Sequence, residues 1–539
     1  MKKVPVLFVV LLLSVVLLTG CPTGDDPQPP AGGGTTPPVG GTPPPPPPPG
    51  APETTLIIAT ATPPGPLDPA LENSQPASRV TRQIFQTLVY QDSDLNIVPG
   101  LAESWEFIDA STIHFTIREG VLFHNGDVLT VDDVVFTLNR AAVAPRIAVI
   151  TNMIESATAI DERTVEVRTE FPFAPILSHL AHPAAGIVSQ SVIATVGDDA
   201  HALHPIGTGP FKFERMVAGD RVELVRFEDF NSHVPGLAPG QLPAIERIIF
   251  RIIPEASVRA IEVEAGTVHM GWNIAPDDMH RLMNIPGIQT FTEPNLSLQT
   301  YLGFNLNKAP FDDIRVRQAI AYAIDIEAIV QAVFQGLTSP ATGPLATTVW
   351  GANADLEMWP FDIVRARELM AEAGLADGFS TSIMFNEGNA ARLAVAEILQ
   401  AQLTALNIDV AIRIYEMPVY LNRTAEGEHE MFILGWVSVT GDPDYGLYPT
   451  FHSSSFGNPG NRTFYHNPRV DYLLDVGREA TDPAVRLAAY HEAQQIIRDD
   501  VPWVFLTQGA SDEAARADVR GFVSSPTGHF YLWTVYIDQ

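Results

Sequence analysis

The sequence predicts an α/β protein with more than one domain. The clearest pattern is an apolar strand over 381–385, a helix over 390–406 and an alternating strand over 408–414. A strand, a helix and a strand at this spacing form a βαβ unit, in which the two strands are parallel and the helix covers the sheet. Residues 55–539 are too many for one hydrophobic core, so we expect two or three domains.

The start of the chain predicts a leader and a tether. Two lysines precede an apolar run over 4–18, and small residues then lead to Cys21, the single cysteine of the chain. This order is typical of a secretory signal peptide, here residues 1–20, with an uncleaved membrane anchor as the alternative. Residues 22–54 hold 14 prolines and 7 glycines, so we expect an extended spacer that cannot fold.

Composition excludes one class of partner. The formal net charge is −31, and nucleic-acid phosphates need a basic surface, so we expect no nucleic-acid binding. The chain is 46% hydrophobic and 18% charged, which is typical of a folded globular protein.

The first part of the globular region predicts mixed elements. We expect a strand over 55–61, a helix over 78–89 and strands over 105–108, 112–118 and 164–168. Short strands with turns between them indicate an α+β unit inserted into the first domain. We interpret Phe123 to Gly126 as a turn between strands.

The second part predicts a further α/β region. Asp312 or Asp313 is expected to cap one helix and Asp325 the next. A buried strand over 431–434 follows the βαβ unit, and later a helix over 483–498 and a strand over 503–507 are expected.

The stretch 431–445 is the candidate binding loop. The strand opens at Gly435 into a polar, turn-rich segment, and ligands of open α/β sheets collect beyond the carboxyl ends of strands. Trp436 offers a stacking face, and the polar anchors are Ser438, Thr440, Asp442 and Asp444. The alternative is a core tryptophan followed by a solvated turn.

Signals for catalysis are weak. The chain has no phosphate-binding loop, no Gly-x-Ser-x-Gly and no His-Glu-x-x-His. The pairs His179/His182 and His201/His204 have helical spacing, but we interpret them as surface or cap histidines rather than metal ligands. Asp442 and Asp444 are alternatively a carboxylate dyad or cation site, and we prefer a structural turn with one ligand-facing acid. We therefore predict no enzyme activity, cofactor or metal.

Six ordered motifs carry a family resemblance. They are PGLAESW at 99–105, FTIR at 115–118, FHNGD at 123–127, DDVVF at 132–136, GTGPF at 207–211 and NKAPF at 307–311. The chain resembles the extracytoplasmic solute-binding proteins of ABC importers, family 5, over residues 55–539. The resemblance implies a two-lobed periplasmic-binding-protein-like fold, type II, cluster C, with an extra α+β subdomain in the first lobe.

The resemblance also implies domain limits. They are a signal peptide over 1–20, a lipidated Cys21 with a tether to residue 54, lobe I over 55–304 plus 505–539 with its insertion near 91–204, and lobe II over 305–504. Leu18 to Cys21 resembles the lipobox of bacterial lipoproteins, which implies a lipid anchor outside the cytoplasm. Two crossings between the lobes, near 300 and 505, form a hinge.

Within the family, the chain is similar to the glutathione- and dipeptide-binding branch. GWVSVTGDPD at 435–444 and NRTFY at 461–465 carry this likeness. Dipeptide binders commonly place an aspartate three residues after the tryptophan to pair with the ligand ammonium, and here that residue is Val439.

A peptide-like ligand implies a set of anchors. We expect Asp442 to bind its ammonium and Arg423 its carboxylate, while Trp436 stacks on it. The remaining candidates are Asn73, Gln75, Asn386, Ser438 and Thr440 for its amides, with Asp444 and Asn305 near the cleft.

The expected function is that of the lipid-anchored binding subunit of an importer. It captures a peptide or glutathione-like solute and delivers it to permease subunits; we expect a monomer that meets the membrane only through its lipid. The alternatives are a nickel- or haem-binding component of the same family, an extracytoplasmic receptor or scaffold, and an extracytoplasmic hydrolase.

Overall fold

A computed structural model describes residues 54–291, 297–458, 460–509 and 512–538. The predicted signal peptide, Cys21 and almost all of the predicted tether lie outside the described residues. Within the described ranges, none of the helices combines the length and the apolar character needed to cross a membrane.

The strands are numbered in chain order. They are β1 Thr55–Thr60, β2 Val89–Gln91, β3 Ile97–Pro99, β4 Ala102–Asp109, β5 Thr112–Ile117, β6 Ile154–Ala159, β7 Thr164–Thr169, β8 Phe211–Val217, β9 Arg221–Arg226, β10 Arg247–Ile252, β11 Met270–Gly271, β12 Ile288–Phe291, β13 Leu298–Phe304, β14 Ser339–Pro340, β15 Ser380–Asn386, β16 Asp409–Tyr415, β17 Met431–Val437, β18 Trp503–Gln508, β19 Glu513–Arg516, β20 Val519–Arg520 and β21 Tyr536–Ile537.

The helices are numbered in the same way. They are α1 Gln75–Ile84, α2 Val131–Ala142, α3 Ala148–Thr151, α4 Ile176–Leu180, α5 Gln190–Val196, α6 Asp198–Leu203, α7 Ala256–Glu264, α8 Pro276–Leu282, α9 Ile314–Ala323, α10 Ile326–Phe334, α11 Ile363–Glu372, α12 Ala390–Leu403, α13 Met417–Ala425, α14 Pro443–Phe451, α15 Pro468–Glu479 and α16 Pro483–Asp500.

Two large mixed sheets form the centres of two lobes. Lobe I contains the seven-stranded sheet with the order β12-β19-β11-β1-β10-β9-β8. Lobe II contains the six-stranded sheet with the order β14-β18-β13-β17-β15-β16. The chain passes from the first sheet to the second after β12 and returns after β18.

A third sheet belongs to an insertion between β1 and β8. Its strand order is β4-β5-β7-β6, and all its pairs are antiparallel. Helix α2 packs on β6 and carries a capping box, in which Thr130 and Asp133 satisfy each other's backbone amides. The insertion has its own apolar core, which includes Phe115, Val134 and Val165.

The predicted βαβ unit is confirmed. Strands β15 and β16 pair in parallel from Ser380 with Asp409 to Asn386 with Tyr415, and α12 connects them. Asp313 rather than Asp312 caps α9, and Asp325 caps α10 as expected. In the first lobe the predicted helix over 78–89 is displaced, since α1 begins at Gln75 and ends at Ile84.

The binding loop differs from the expectation. The predicted strand extends to Val437, and the segment expected to be a turn begins helix α14 at Pro443. Asp442 is its N-cap, and proline is well tolerated in the first turn because no partner is needed for its missing amide. Proline at 449 inside the helix is unusual, which is why local propensity does not reveal this helix.

The hinge-side tryptophans are core residues. Tyr301 of β13 stacks on Trp503 of β18 with ring centroids 3.4 Å apart, and both are buried. Trp272, following β11, is also buried and packs against Phe250 and Phe530. These ring contacts stabilise the interior of each lobe.

We expect Gly378→Ala to destabilise lobe II strongly. Gly378 has φ +74°, and a Cβ there would overlap the backbone of Asn407, which precedes β16. The cost is about 3 kcal/mol or more, from left-handed strain and a backbone displacement together. The midpoint of urea unfolding measures it.

Gly374→Ala is the matched control. Gly374 has φ +77° but no atom within 4 Å of a built Cβ, so only the conformational cost of about 1 kcal/mol applies. Equal losses in the two variants would show that the contact with Asn407 does not constrain Gly378.

Candidate functional site

The two connections join the sheets at the carboxyl ends of their parallel strands, and this end of each sheet is called its edge below. In lobe I, β1, β10 and β11 are parallel, and their carboxyl ends lie where β12 ends and β19 begins, since Phe291 pairs with Glu513. In lobe II, β15, β16 and β17 are parallel, and their carboxyl ends lie where β13 begins, since Leu298 pairs with Val437. The short connections therefore bring two ligand-binding edges together.

Arg392 is the main functional candidate on the lobe II edge. It lies in the first turn of α12, and a Cβ added to Gly435 of β17 would meet its Nη2 at 3.5 Å. Its Nη1 donates to the amide oxygen of Asn386 at the end of β15. Burial lowers the pKa of Arg392, and among the described residues no carboxylate forms an ion pair with it. It is a partly buried cation that the described residues leave without a counter-ion.

Trp436 follows Gly435 near the end of β17. Its ring is partly buried in the lobe II core and is tilted against Tyr445, with centroids 5.5 Å apart. Its Nε1 donates to the Tyr445 carbonyl at 2.9 Å, so the indole orientation is fixed by the protein itself. The exposed remainder of the ring stays available to a ligand.

The lobe I edge carries a pocket. It is lined by residues following β1 and β11 and by the start of α1: Thr60, Ala61, Thr62, Pro64, Gln75, Pro76, Arg79, Val80, Phe250, Ile252, Trp272 and Asn273. The buried Nε2 of Gln75 has no hydrogen-bond partner in the described part of the chain, so a donor is left unsatisfied here.

Acidic and basic side chains are buried together behind this pocket. Arg79 lies over the Trp272 ring at 4.7 Å and pairs with Glu513 at 3.4 Å. Burial, reinforced by the neighbouring Asp512, raises the pKa of Glu513 to about 8. The lobe I edge therefore presents the Gln75 amide as a hydrogen-bond donor, next to the Arg79 cation, which Glu513 neutralises only weakly.

The two loop aspartates have partners inside lobe II. Asp442 accepts from Arg486 Nη2 at 2.7 and 2.9 Å and also caps α14. Burial alone would lower the pKa of Arg486, but the nearby Asp442 carboxylate raises that pKa above its usual value. Asp444 accepts from Arg478 at 3.0 and 3.1 Å. The structure thus gives both acids structural partners in place of a free ligand-facing position.

The other polar residues of the loop are also engaged locally. The Ser438 amide donates to Ser297 at 3.0 Å, and Thr440 Oγ1 accepts from the Asp442 amide at 3.3 Å. Both side chains are buried. They shape the turn that leads into α14.

The remaining candidates are dispersed. Gln75 lines the lobe I pocket, and Asn73, two residues earlier, is half-buried. Asn305 is buried and donates to the carbonyls of Gly427 and His429. Arg423 is partly exposed and pairs with Glu428 at 2.6 Å. Of the predicted anchors, the sheet edges carry Trp436 and Asn386 on lobe II and Gln75 on lobe I.

The histidines correct one interpretation. His179 and His201 are buried, so describing them as surface or cap histidines is wrong, whereas His182 caps a short 3₁₀ helix. His201 Nδ1 lies 2.6 Å from Asp68 Oδ2, which explains its burial. In the described part of the chain, no group of three or more histidine, cysteine or acidic side chains is arranged to hold a metal ion.

A mixed α/β fold of two lobes joined by two connections is the architecture of periplasmic solute-binding proteins. Residues 96–458 match the bacterial extracellular solute-binding proteins, family 5. The chain belongs to this family, whose members are extracytoplasmic substrate-binding components of ABC importers.

Named relatives illustrate the range of the family. The glutathione-binding protein GsiB of Pectobacterium atrosepticum is 29% identical over 87% of this chain and 91% of its own. The heme-binding protein A of Haemophilus influenzae is 29% identical over 85% of this chain and 87% of its own. The dipeptide-binding protein of Escherichia coli is 30% identical over 82% of this chain and 86% of its own. DppA of Helicobacter pylori, solved with the peptide STSA, superposes with a TM-score of 0.80 at 27% identity, covering 90% of this chain and 98% of that one.

We expect Asp442→Ala to lower the stability of the ligand-free protein. Removing the carboxylate leaves Arg486 buried without a counter-ion, which costs about 3–5 kcal/mol. Asp442→Asn keeps a capping side chain and should lose less. Urea unfolding of the ligand-free variants measures both.

The opposite result has a clear meaning. If Asp442→Ala unfolds like the native protein but no longer binds ligand, Asp442 serves the ligand and the Arg486 pair is dispensable.

Proposed function

We propose that this protein is the lipid-anchored substrate-binding subunit of an ABC importer for a small peptide or glutathione-like solute. The solute enters between the open lobes, and contacts from both sheet edges favour the closed form. The closed form then delivers it to membrane permease subunits. The protein performs no chemistry on the solute and acts as a monomer without a cofactor.

Arg392 carries the proposal of a carboxylate-bearing ligand. An isolated buried cation is unfavourable, because the energy lost on leaving water is not recovered. Among the described residues, Arg392 has only the amide oxygen of Asn386 as a side-chain partner. A carboxylate in the cleft would restore a bidentate, charge-assisted pair. Peptides and glutathione both have such a group.

The lobe I pocket supports a second polar contact. Gln75 Nε2 is an unsatisfied donor, and Asn273 lines the same pocket. A peptide carbonyl or a second carboxylate would satisfy that donor. Contacts from both lobes are needed because a ligand shifts the equilibrium between open and closed forms only by its difference in affinity for them.

Haem and nickel are the alternative ligands. The likeness to heme-binding protein A favours haem as the second candidate. For nickel, the described residues offer no cluster of protein ligands, so nickel would have to arrive already chelated by a small molecule. A signalling receptor or scaffold would bind a solute in the same way but would not act with a permease.

The lipid anchor is proposed from the sequence before Cys21. The apolar run and the small residues ahead of this cysteine support acylation there, and the Pro/Gly-rich tether would separate the lobes from the membrane. The protein would then work outside the cytoplasm while attached only through lipid.

We expect Arg392→Gln to weaken ligand binding strongly. Loss of one partner of a buried charge pair costs about 2–5 kcal/mol, which is roughly a 30-fold or greater rise in Kd. Isothermal titration with glutathione, di- to pentapeptides, haem and chelated nickel measures binding to the native protein and to the variant.

Arg413→Gln is the matched control, since Arg413 is an exposed residue of the neighbouring strand β16. It should bind as the native protein does. If Arg392→Gln binds a peptide with native affinity, Arg392 does not anchor a ligand carboxylate. Binding of haem alone would replace the proposed ligand class.

A further inference from the structure

A second contact between the lobes lies away from the sheet edges. Arg478, in α15 of lobe II, has its guanidinium carbon 3.3 Å from the ring centroid of Tyr448 in α14. Two rings of the lobe I insertion, Phe171 and Phe173, lie 5.4 Å from the same carbon. The cation is thus surrounded by aromatic faces from both lobes, and each such contact is attractive, more so when water is excluded.

A backbone hydrogen bond joins the lobes at the same place. The amide of Ala174, between the two phenylalanines and α4, donates to the carbonyl of Arg478 at 2.9 Å. This bond connects segments more than 300 positions apart in the sequence, as the residue numbers show. It forms only when the insertion and α15 are in contact.

Charges position the guanidinium before any contact with lobe I. Asp444 of α14 binds Arg478 through both carboxylate oxygens, so the cation is oriented within lobe II. On the other side of Asp444, His179 of the insertion has its Nε2 3.9 Å from the carboxylate, and that atom forms no hydrogen bond with any described residue. The lobe II half is therefore preformed and the lobe I half is mainly apolar.

Apolar contacts extend this interface. Val439 and Tyr445 of lobe II pack against a lobe I cluster that includes Ala70, Ile147 and Ile150. None of these residues lines the pocket on the lobe I edge. The interface has no need of the ligand to form.

We propose that Arg478, held by Asp444 and Tyr448 and received by Phe171 and Phe173, is a latch that stabilises the closed arrangement of the two lobes. The proposal builds on the lobe closure described under the proposed function, but the latch acts in the ligand-free protein as well. Because it favours the closed form, it raises ligand affinity without touching the ligand.

Hydrogen exchange at the Ala174 amide tests the latch directly. In the ligand-free full chain, Arg478→Ala should speed exchange at Ala174 by roughly five- to thirtyfold, the change expected when a desolvated cation–π contact is lost. Phe171→Ala, made on the opposite lobe, should act in the same direction. The double variant should show less than the product of the two single effects, because both remove one contact.

Arg469→Ala is the matched control. Arg469 lies on the same helix, but its side chain is half-exposed and pairs with Glu492 at 2.7 Å within lobe II. Exchange at Ala174 should be unchanged in this variant. The amides of β13 and β17 report whether each variant keeps its core.

Unchanged exchange at Ala174 in Arg478→Ala, with β13 and β17 still protected, overturns the latch. If Arg478→Ala loses protection in β13 and β17, the Phe171→Ala variant is used instead. Faster exchange at Ala174 in Phe171→Ala supports the latch, and an exchange rate equal to that of the native protein overturns it. No ligand enters this experiment, so failure of the peptide assignment, seen in the Arg392→Gln titration, is distinguishable from failure of the latch.

Discussion

Two short connections between the sheets determine which ends of the two sheets face each other. Both leave and enter the sheets at the edges formed by the carboxyl ends of the parallel strands, with Phe291 opposite Glu513 in one lobe and Leu298 opposite Val437 in the other. The loops that can present side chains to a ligand are consequently placed against each other. The position of the two connections at the carboxyl ends of the parallel strands therefore favours both a hinge and a ligand cleft between the lobes.

Buried charge separates structural from binding residues in this cleft. Asp442 and Asp444 each have an arginine partner within lobe II, which explains how two acids can lie at the start of a buried helix. Arg392 has no such partner among the described residues, and its burial lowers its pKa. Under the proposed function, a ligand carboxylate would supply that partner for Arg392.

Local patterns predicted much of the fold. The βαβ unit around α12 and the caps at Asp313 and Asp325 follow from periodicity and side-chain chemistry, which act over a few residues. Helix α14 escaped prediction because Gly446 and Pro449 oppose helix formation, although Asp442 followed by Pro443 is a starting signal. Arg392 and the burial of His179 depend on residues distant in sequence, so no local pattern distinguishes them from surface residues.

The identity of the molecule held between the lobes tests the account most directly. Native purification of the full chain, denaturation and mass spectrometry of the released small molecules would reveal it. The account predicts a peptide-like solute with at least one free carboxylate, to pair with Arg392. Release of haem would contradict the peptide assignment, although a haem propionate could still pair with Arg392, and release of a solute without a carboxylate would contradict the role of Arg392.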